Sequence, residues 1–277
     1  MAEYAFRIVN VFAESPLAGN PLCVFEDARG LDDATMQALA LQFNLSETTF
    51  VFPSQRATAK VRIFTPSFEM PFAGHPTLGT AHVVRALHGG DRVVLEMRAG
   101  LIPVVAGGDT WTLDANAPVH RDAGASHADL AAMLGIDASD ILDRPLWVDT
   151  GSEQLMIPLV SEDAVRNVSP DAALMMTHAS NGTRAMAYVF ARNRDTVTAR
   201  FFFPKHGSVI EDPGTGSACA NLGGWLLVTN ATLPQRLVIL QGDAVGRPCR
   251  LGLEVTVDRR IRVSGRVVQI ARGTLVL

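Results

Sequence analysis

The 277-residue chain is 48% hydrophobic and 19% charged with a formal net charge of −4, a balance that excludes a disordered chain and gives no electrostatic reason to expect nucleic acid or an anionic membrane surface as a partner. Its length allows two cores at roughly 150 residues per domain. Cys23, Cys219 and Cys249 form no CxxC pair and no disulfide framework, no apolar run approaches the ~20 residues that span a bilayer, and the opening run MAEYAFRIVNVF carries no signal-peptide pattern, so a cytoplasmic protein is expected.

In chain order, Tyr4 to Phe12 alternates as a strand does, and the turn-rich loop Ser15 to Pro21 leads into the short strand LCVF. Asp32 and Asp33 suit the start of a helix reaching about Phe43, with Met36, Leu39, Ala40 and Phe43 at helical spacing. Asn44 to Glu47 ends it. TTFVF and Lys60 to Thr65 then read as strands, and Pro76 to Leu87 as a helix apolar or small almost all round, hence buried. RVVLEM, LIPVVA and TWTLDA form an antiparallel meander. Ala117 to Gly124 is the expected linker, dividing the chain into lobes 1–117 and 118–277, with the extreme C-terminal strand free to join the first lobe. Beyond it, helices near His127–Leu134 and Asp171–His178 alternate with strands near Leu146–Asp149, Gln154–Leu159 and Met186–Ala191.

From Arg200 the pattern repeats. Arg62-Ile63-Phe64-Thr65-Pro66 and Arg200-Phe201-Phe202-Phe203-Pro204 share R-x-F-x-P, and each leads through a loop to a Gly-polar pair and a small, apolar helix: Gly74-His75, then Gly216-Ser217 with a helix from about Ala218 to Val228. The expected fold is α+β, with two pseudo-symmetric lobes, each a curved antiparallel sheet or barrel around a central helix.

Both helix starts are places where unpaired N–H groups and the macrodipole favour an anion. His75 at the first is either a structural cap or a group that handles protons near neutrality. His82 and His88 have no metal-ligand spacing and read as structural or solvent-facing. At the second, Ser217 is a plain N-cap or part of an anion site, with Asp212 nearby as an orienting or proton-handling carboxylate. GTGSAC lacks the parallel βαβ setting of a dinucleotide fingerprint, and no GK[ST] is present. Glu47 is a surface glutamate or a partly buried general base. Cys219 is a packed core thiol or an activated one at a helix start.

Asn44-Leu45-Ser46-Glu47-Thr48-Thr49-Phe50, Arg62-Ile63-Phe64-Thr65-Pro66, Pro71-Phe72-Ala73-Gly74-His75-Pro76 and Glu211-Asp212-Pro213-Gly214-Thr215-Gly216-Ser217-Ala218, together with Leu17-Ala18-Gly19-Asn20-Pro21, resemble the signature blocks of the PhzF-like isomerase family of phenazine biosynthesis. The blocks run in family order over nearly the whole chain. The resemblance implies the diaminopimelate epimerase-like fold with the site between the lobes, a homodimer, and cofactor-independent proton transfer at carbon, as a 1,3-hydrogen shift or an epimerisation, on a small carboxylic acid. It also implies roles. Glu47 is the acid/base, His75 and Asp212 assist proton movement or orientation, and Gly74, Gly216 and Ser217 bind substrate; no metal is implied. The thiol epimerases of this fold carry cysteine at the two helix starts, where this chain has His75 and Ser217. Two other readings stand beside this one: a binding protein that keeps the fold without catalysis, and a thiol-assisted epimerase using Cys219.

Overall fold

The computed structural model describes residues 1–277, which form two units: Met1–Asp114 with Ser264–Leu277, and Ala115–Val263. No helix is long and apolar enough to cross a membrane.

In the first unit β1 (Glu3–Val11) pairs antiparallel with β2 (Asn20–Phe25). The turn between them needs Gly19 at φ +81, where a Cβ would lie 2.6 Å from the Val11 carbonyl oxygen. Asp32 caps α1 (Asp33–Phe43) by accepting the Thr35 N–H, and Asn44 ends it in the left-handed region. Met36, Leu39 and Ala40 lay this helix on Phe25, Phe50 and Phe64.

After α1 the chain returns as β3 (Glu47–Phe52), parallel to β2, and then β4 (Ala59–Phe64) and the two-residue β5 (Glu69–Met70), each antiparallel to the strand before it. The helix α2 (Gly74–His88) follows, then β6 (Arg92–Met97), β7 (Gly100–Gly107) and β8 (Thr110–Asp114). Strand β6 pairs parallel with β4, while β6, β7 and β8 form the antiparallel meander expected from their spacing.

The sheet is therefore mixed where an antiparallel one was expected. A helix in the connection carries the chain back to the end of the sheet where it began, so β2 and β3, joined through α1, run parallel, as do β4 and β6, joined through β5 and α2. The last strand, β17 (Ile261–Val276), pairs with β1 on one side and β8 on the other. That closes β1, β2, β3, β4, β6, β7, β8 and β17 into a ring, which leaves no unpaired edge. Helix α2 touches β1, β2, β3, β6, β7 and β8, so it fills the ring, and its residues from His75 to Val84 are buried apart from half-buried His82. Gly79 makes this possible, because a Cβ there would lie 2.6 Å from Leu22 Cδ2 and 2.9 Å from Val11 Cγ2.

The second unit opens on a strand where a linker was expected. Part of the expected linker is a strand, β9 (Val119–Asp122), antiparallel to β10 (Leu146–Asp149). All four of its residues are exposed, so no burial pattern marked it in the sequence; Arg121 anchors it, over the Trp147 ring at 4.5 Å and paired with Glu153 at 2.7 Å. Helix α3 (His127–Leu134), with a capping box on Ser126, leads into β10, followed by β11 (Gln154–Pro158), the short α4 (Glu162–Asn167), which the sequence reading missed, α5 (Ala172–His178) and β12 (Ala187–Asn193). Then come β13 (Thr196–Lys205), β14 (Ser208–Asp212), α6 (Gly216–Val228), β15 (Gln235–Gln241) and β16 (Cys249–Val255). Leu130, Leu134, Trp147, Ile157, Val165, Met175 and Phe202 belong to its core.

The internal repeat holds strand for strand. Pairs β10–β11, β12–β13, β13–β14 and β15–β16 are antiparallel and β11–β12 and β13–β15 parallel, the same sequence of orientations as β1–β2, β3–β4, β4–β5, β6–β7, β2–β3 and β4–β6. The shared arginine explains why R-x-F recurs. Arg62 pairs with Glu69 through Nε and Nη2 at 2.8 Å each and lies 5.1 Å over the Phe64 ring, and Arg200 pairs with Glu211 through Nε at 3.2 Å and Nη2 at 2.7 Å and lies 4.7 Å over the Phe202 ring. Each arginine spans one hairpin across two adjacent strands.

Candidate active-site residues

The registers convert the repeat into residue correspondences. Phe50 faces Arg62 and Val189 faces Arg200, so Glu47 corresponds to Met186. Glu69 and Glu211 each stand five residues before the leading glycine of their helix, so Met70 corresponds to Asp212, Gly74 to Gly216 and His75 to Ser217. Each unit thus has one carboxylate of interest, at a position where the other unit has methionine.

In the first unit Glu47 opens β3, so it belongs to a strand and not to the turn that ends α1. It lies alongside Leu22 of β2. Gly74 and His75 are the first two residues of α2, whose N-cap, Ala73, offers no side-chain acceptor to the first-turn N–H groups. The structure brings Glu47 and His75 together: His75 Nε2 is 3.4 Å from Glu47 Oε2, with side chains 7% and 15% exposed. The other ring nitrogen faces the Pro21 carbonyl, and Nε2 has no hydrogen-bond partner. Burial pushes the His75 pKa down to about 3, with the Pro21 carbonyl opposing it, so the imidazole is neutral near pH 7. A neutral ring that donates Nδ1–H to Pro21 carries a lone pair on Nε2, which repels a carboxylate oxygen but accepts from a carboxylic O–H. The pair is a place for one proton. Behind it, Thr49 Oγ1 and Thr80 Oγ1 meet at 2.8 Å and tie β3 to α2.

In the second unit Asp212 ends β14, and Gly216 and Ser217 are the first two residues of α6. Ser217 is therefore not the N-cap, as the plainer sequence reading had it; Thr215 is, and it makes no side-chain cap bond. The Thr215 hydroxyl is committed elsewhere: it donates to Asp212 Oδ2 in a short hydrogen bond. Buried Gln241 clamps both residues, donating from Nε2 to the Asp212 carbonyl at 2.8 Å and to Thr215 Oγ1 at 3.0 Å, while its Oε1 accepts the Thr215 N–H at 3.3 Å. Ser217 is half-buried, and its Oγ accepts from Gln154 Nε2 at 2.9 Å. Cys219 is fully buried and its thiol pKa is raised by burial, which argues against a thiolate at this helix start. No group of three or more His, Cys, Asp or Glu side chains is arranged to hold a metal ion.

Thr215, Gln241, Gln154 and the Pro21 carbonyl escaped the sequence reading. The one signal for the two glutamines was a polar residue in an apolar strand, RLVILQ and QLMIP, which requires a buried partner.

The family model described as phenazine biosynthesis-like protein matches residues 9–273. Among curated proteins, an uncharacterized isomerase of Pasteurella multocida is 39% identical, over 99% of this chain and 95% of its own length. A trans-2,3-dihydro-3-hydroxyanthranilate isomerase of Pseudomonas fluorescens is 36% identical over 98% and 99%. Among solved structures, a PhzF-family phenazine biosynthesis protein of Bacillus anthracis superposes with a TM-score of 0.90 at 24% identity over all of both chains, and a predicted epimerase of Pseudomonas aeruginosa with 0.83 at 30% identity over 99% of both. A hydroxyproline epimerase of Agrobacterium vitis, TM-score 0.64 at 11% identity over 99% of this chain and 93% of that one, shares the fold. With the carboxylates, helix starts and paired frameworks described above, the chain belongs to the PhzF-like family and is an isomerase.

Proposed function

We propose that Glu47 is the acid/base of an isomerase that moves a proton between carbons of a small carboxylic acid, and the observation that carries this is the half-buried Glu47 carboxylate facing the neutral Nε2 of His75. The Glu47 carboxylate removes a proton from substrate carbon, leaving an enolate or dienolate, and the resulting O–H has an acceptor in His75 Nε2, while the 15% of the Glu47 side chain that stays exposed lets that proton exchange with solvent before it is returned. The same carboxylic acid then returns the proton to a second carbon. One C–H bond breaks, another forms and the double bond migrates, so no electrons are gained or lost. The first-turn N–H groups at Gly74 and Gly216 supply donors to the carboxylate or the developing negative charge, and Ser217 adds its hydroxyl. Asp212, oriented by Thr215 and Gln241, positions substrate or assists proton movement. The step uses side chains and backbone alone.

The compound in the relatives' name, trans-2,3-dihydro-3-hydroxyanthranilate, is a small carboxylic acid of the required kind and the first to test. In deuterated water, NMR of the product distinguishes the chemistries: deuterium two bonds from the original C–H marks a 1,3-shift, and deuterium at the original carbon with inverted configuration marks epimerisation. Absence of any carbon-bound deuterium across a panel of small carboxylic acids would sink the proposal. A cytoplasmic homodimer belongs to the same reading, supported by three unpaired buried thiols for the compartment and by the resemblance for the dimer; sedimentation tests the latter.

A further inference from the structure

Beneath Ser217 lies a buried chain of hydrogen bonds that the reaction scheme leaves unused. Asn221 Oδ1 accepts from the Thr150 N–H at 2.9 Å and from Thr150 Oγ1 at 2.7 Å, and its Nδ2 donates to the Ser152 carbonyl at 2.8 Å and to Gln154 Oε1 at 2.9 Å. Gln154 Nε2 then donates to Ser217 Oγ. Asn221, Gln154 and Thr150 are 0%, 2% and 7% exposed.

The direction of every bond follows from its two ends. A backbone N–H only donates and a backbone carbonyl only accepts, so Asn221 has one tolerable amide orientation. Its Nδ2 must meet the oxygen of Gln154, which turns the Gln154 NH2 toward Ser217. A serine hydroxyl that accepts there keeps its own proton to give elsewhere.

The same framework closes without any of this in the first unit. The registers place Leu22 at the position of Gln154 and Val11 at that of Thr150, and Gly79 at that of Asn221, the fifth residue after the leading glycine. There the three meet as an apolar contact, Gly79 against Leu22 and Val11. Burying two amides and a hydroxyl is costly unless each is satisfied, and the fold has an apolar solution to the same packing problem. The polar version occurs only under the helix that begins with a hydroxyl.

We infer that Gln154, held by Asn221, is a positioning residue that fixes the Ser217 hydroxyl as an outward hydrogen-bond donor and so selects an acceptor oxygen, carboxylate or carbonyl, as the ligand group at α6. This rests on the reading of Ser217 as a substrate-binding residue.

Two measurements separate the inference from that reading. Neutron diffraction of the deuterium-exchanged protein locates the protons without any substrate: deuterons on Gln154 Nε2 directed at Ser217, with the Ser217 O–D directed away, are expected. A Ser217 deuteron directed at Gln154, or an inverted Asn221 amide, overturns the inference whatever the reaction. Kinetically, Gln154→Glu reverses the bond, making Ser217 donate inward, and Gln154→Met removes it at similar volume. With trans-2,3-dihydro-3-hydroxyanthranilate as probe, KM should rise about tenfold or more in both variants with kcat changed less than threefold, and Ser217→Ala should match them. A kcat loss with KM unchanged, in a Gln154→Met protein that melts as the parent does, overturns the positioning role. If the parent protein is inert toward this probe and toward other small carboxylic acids, the functional reading fails, while the neutron map still decides the direction of the hydroxyl.

Discussion

Nε2 of His75 stands 3.4 Å from Oε2 of Glu47, and the ring's other nitrogen is taken by the Pro21 carbonyl. The starts of two strands, β2 and β3, and of the helix α2 meet at that point, so the Glu47 carboxylate faces an imidazole that burial keeps uncharged. A charged imidazolium would hold the carboxylate in an ion pair; a neutral one leaves it available as a base. Glu47→Gln keeps the shape and removes the base. Carbon-bound deuterium exchange should fall by about 10²–10⁴-fold with the unfolding midpoint nearly unchanged; full exchange in the variant would remove Glu47 from the mechanism.

Acid stability should report on His75. Its folded pKa, about 3, lies below the ordinary histidine value of 6.5, so between those values the unfolded chain binds a proton the native protein refuses. Unfolding free energy therefore falls as pH drops from about 6.5 toward 3, with a slope contribution of at most ~1.4 kcal/mol per pH unit from this residue. Urea titrations at stepped pH should show a shallower dependence in His75→Gln. An unchanged slope would mean the ring is protonated in the native protein.

The two hairpin arginines should differ in what they cost when removed. Arg200 holds Glu211, whose side chain is 7% exposed, and also reaches the carbonyls of Arg166 and Val168. Arg62 holds Glu69, 15% exposed, which has a second cation in Arg98. Arg200→Ala should destabilise by about 3–5 kcal/mol, the range for stranding a buried charge, and Arg62→Ala by clearly less. Chemical denaturation of both variants decides; equal losses would refute the assignment.

Thr215→Val removes the hydroxyl that orients Asp212 while leaving Gln241 bonded to the Asp212 carbonyl. Turnover should drop about tenfold, the equivalent of one ~1.4 kcal/mol hydrogen bond, and unchanged turnover would show that Asp212 needs no such orientation.

Cys219→Ala should leave deuterium exchange within about twofold of the parent and reduce stability by about 1 kcal/mol, as loss of a small buried side chain does. Loss of exchange in a stable variant would revive a thiol mechanism that the buried, protonated sulfur disfavours.

Local pattern sufficed where burial has a period. Strand and helix positions such as Tyr4–Val11, Asp33–Phe43 and Leu146–Asp149 were legible because their side chains face a core, and R-x-F-x-P exposed the repeat because each arginine must bridge one hairpin. β9 was illegible because none of its residues is buried, and the parallel pairs β2–β3 and β4–β6 because strand direction depends on where a helix crosses.

By itself, then, the sequence determined the two-lobe α+β architecture, the paired helix starts at Gly74-His75 and Gly216-Ser217, and the candidates Glu47 and Asp212: these follow from residue type, spacing and order along the chain. Only the tertiary structure decided that His75 is neutral and faces Glu47, that Thr215 rather than Ser217 caps α6, and that Gln154 and Asn221 dictate which way the Ser217 hydroxyl donates. Those properties belong to pairs of groups distant in sequence. Burial and hydrogen-bond direction exist only once folding has removed water from between them.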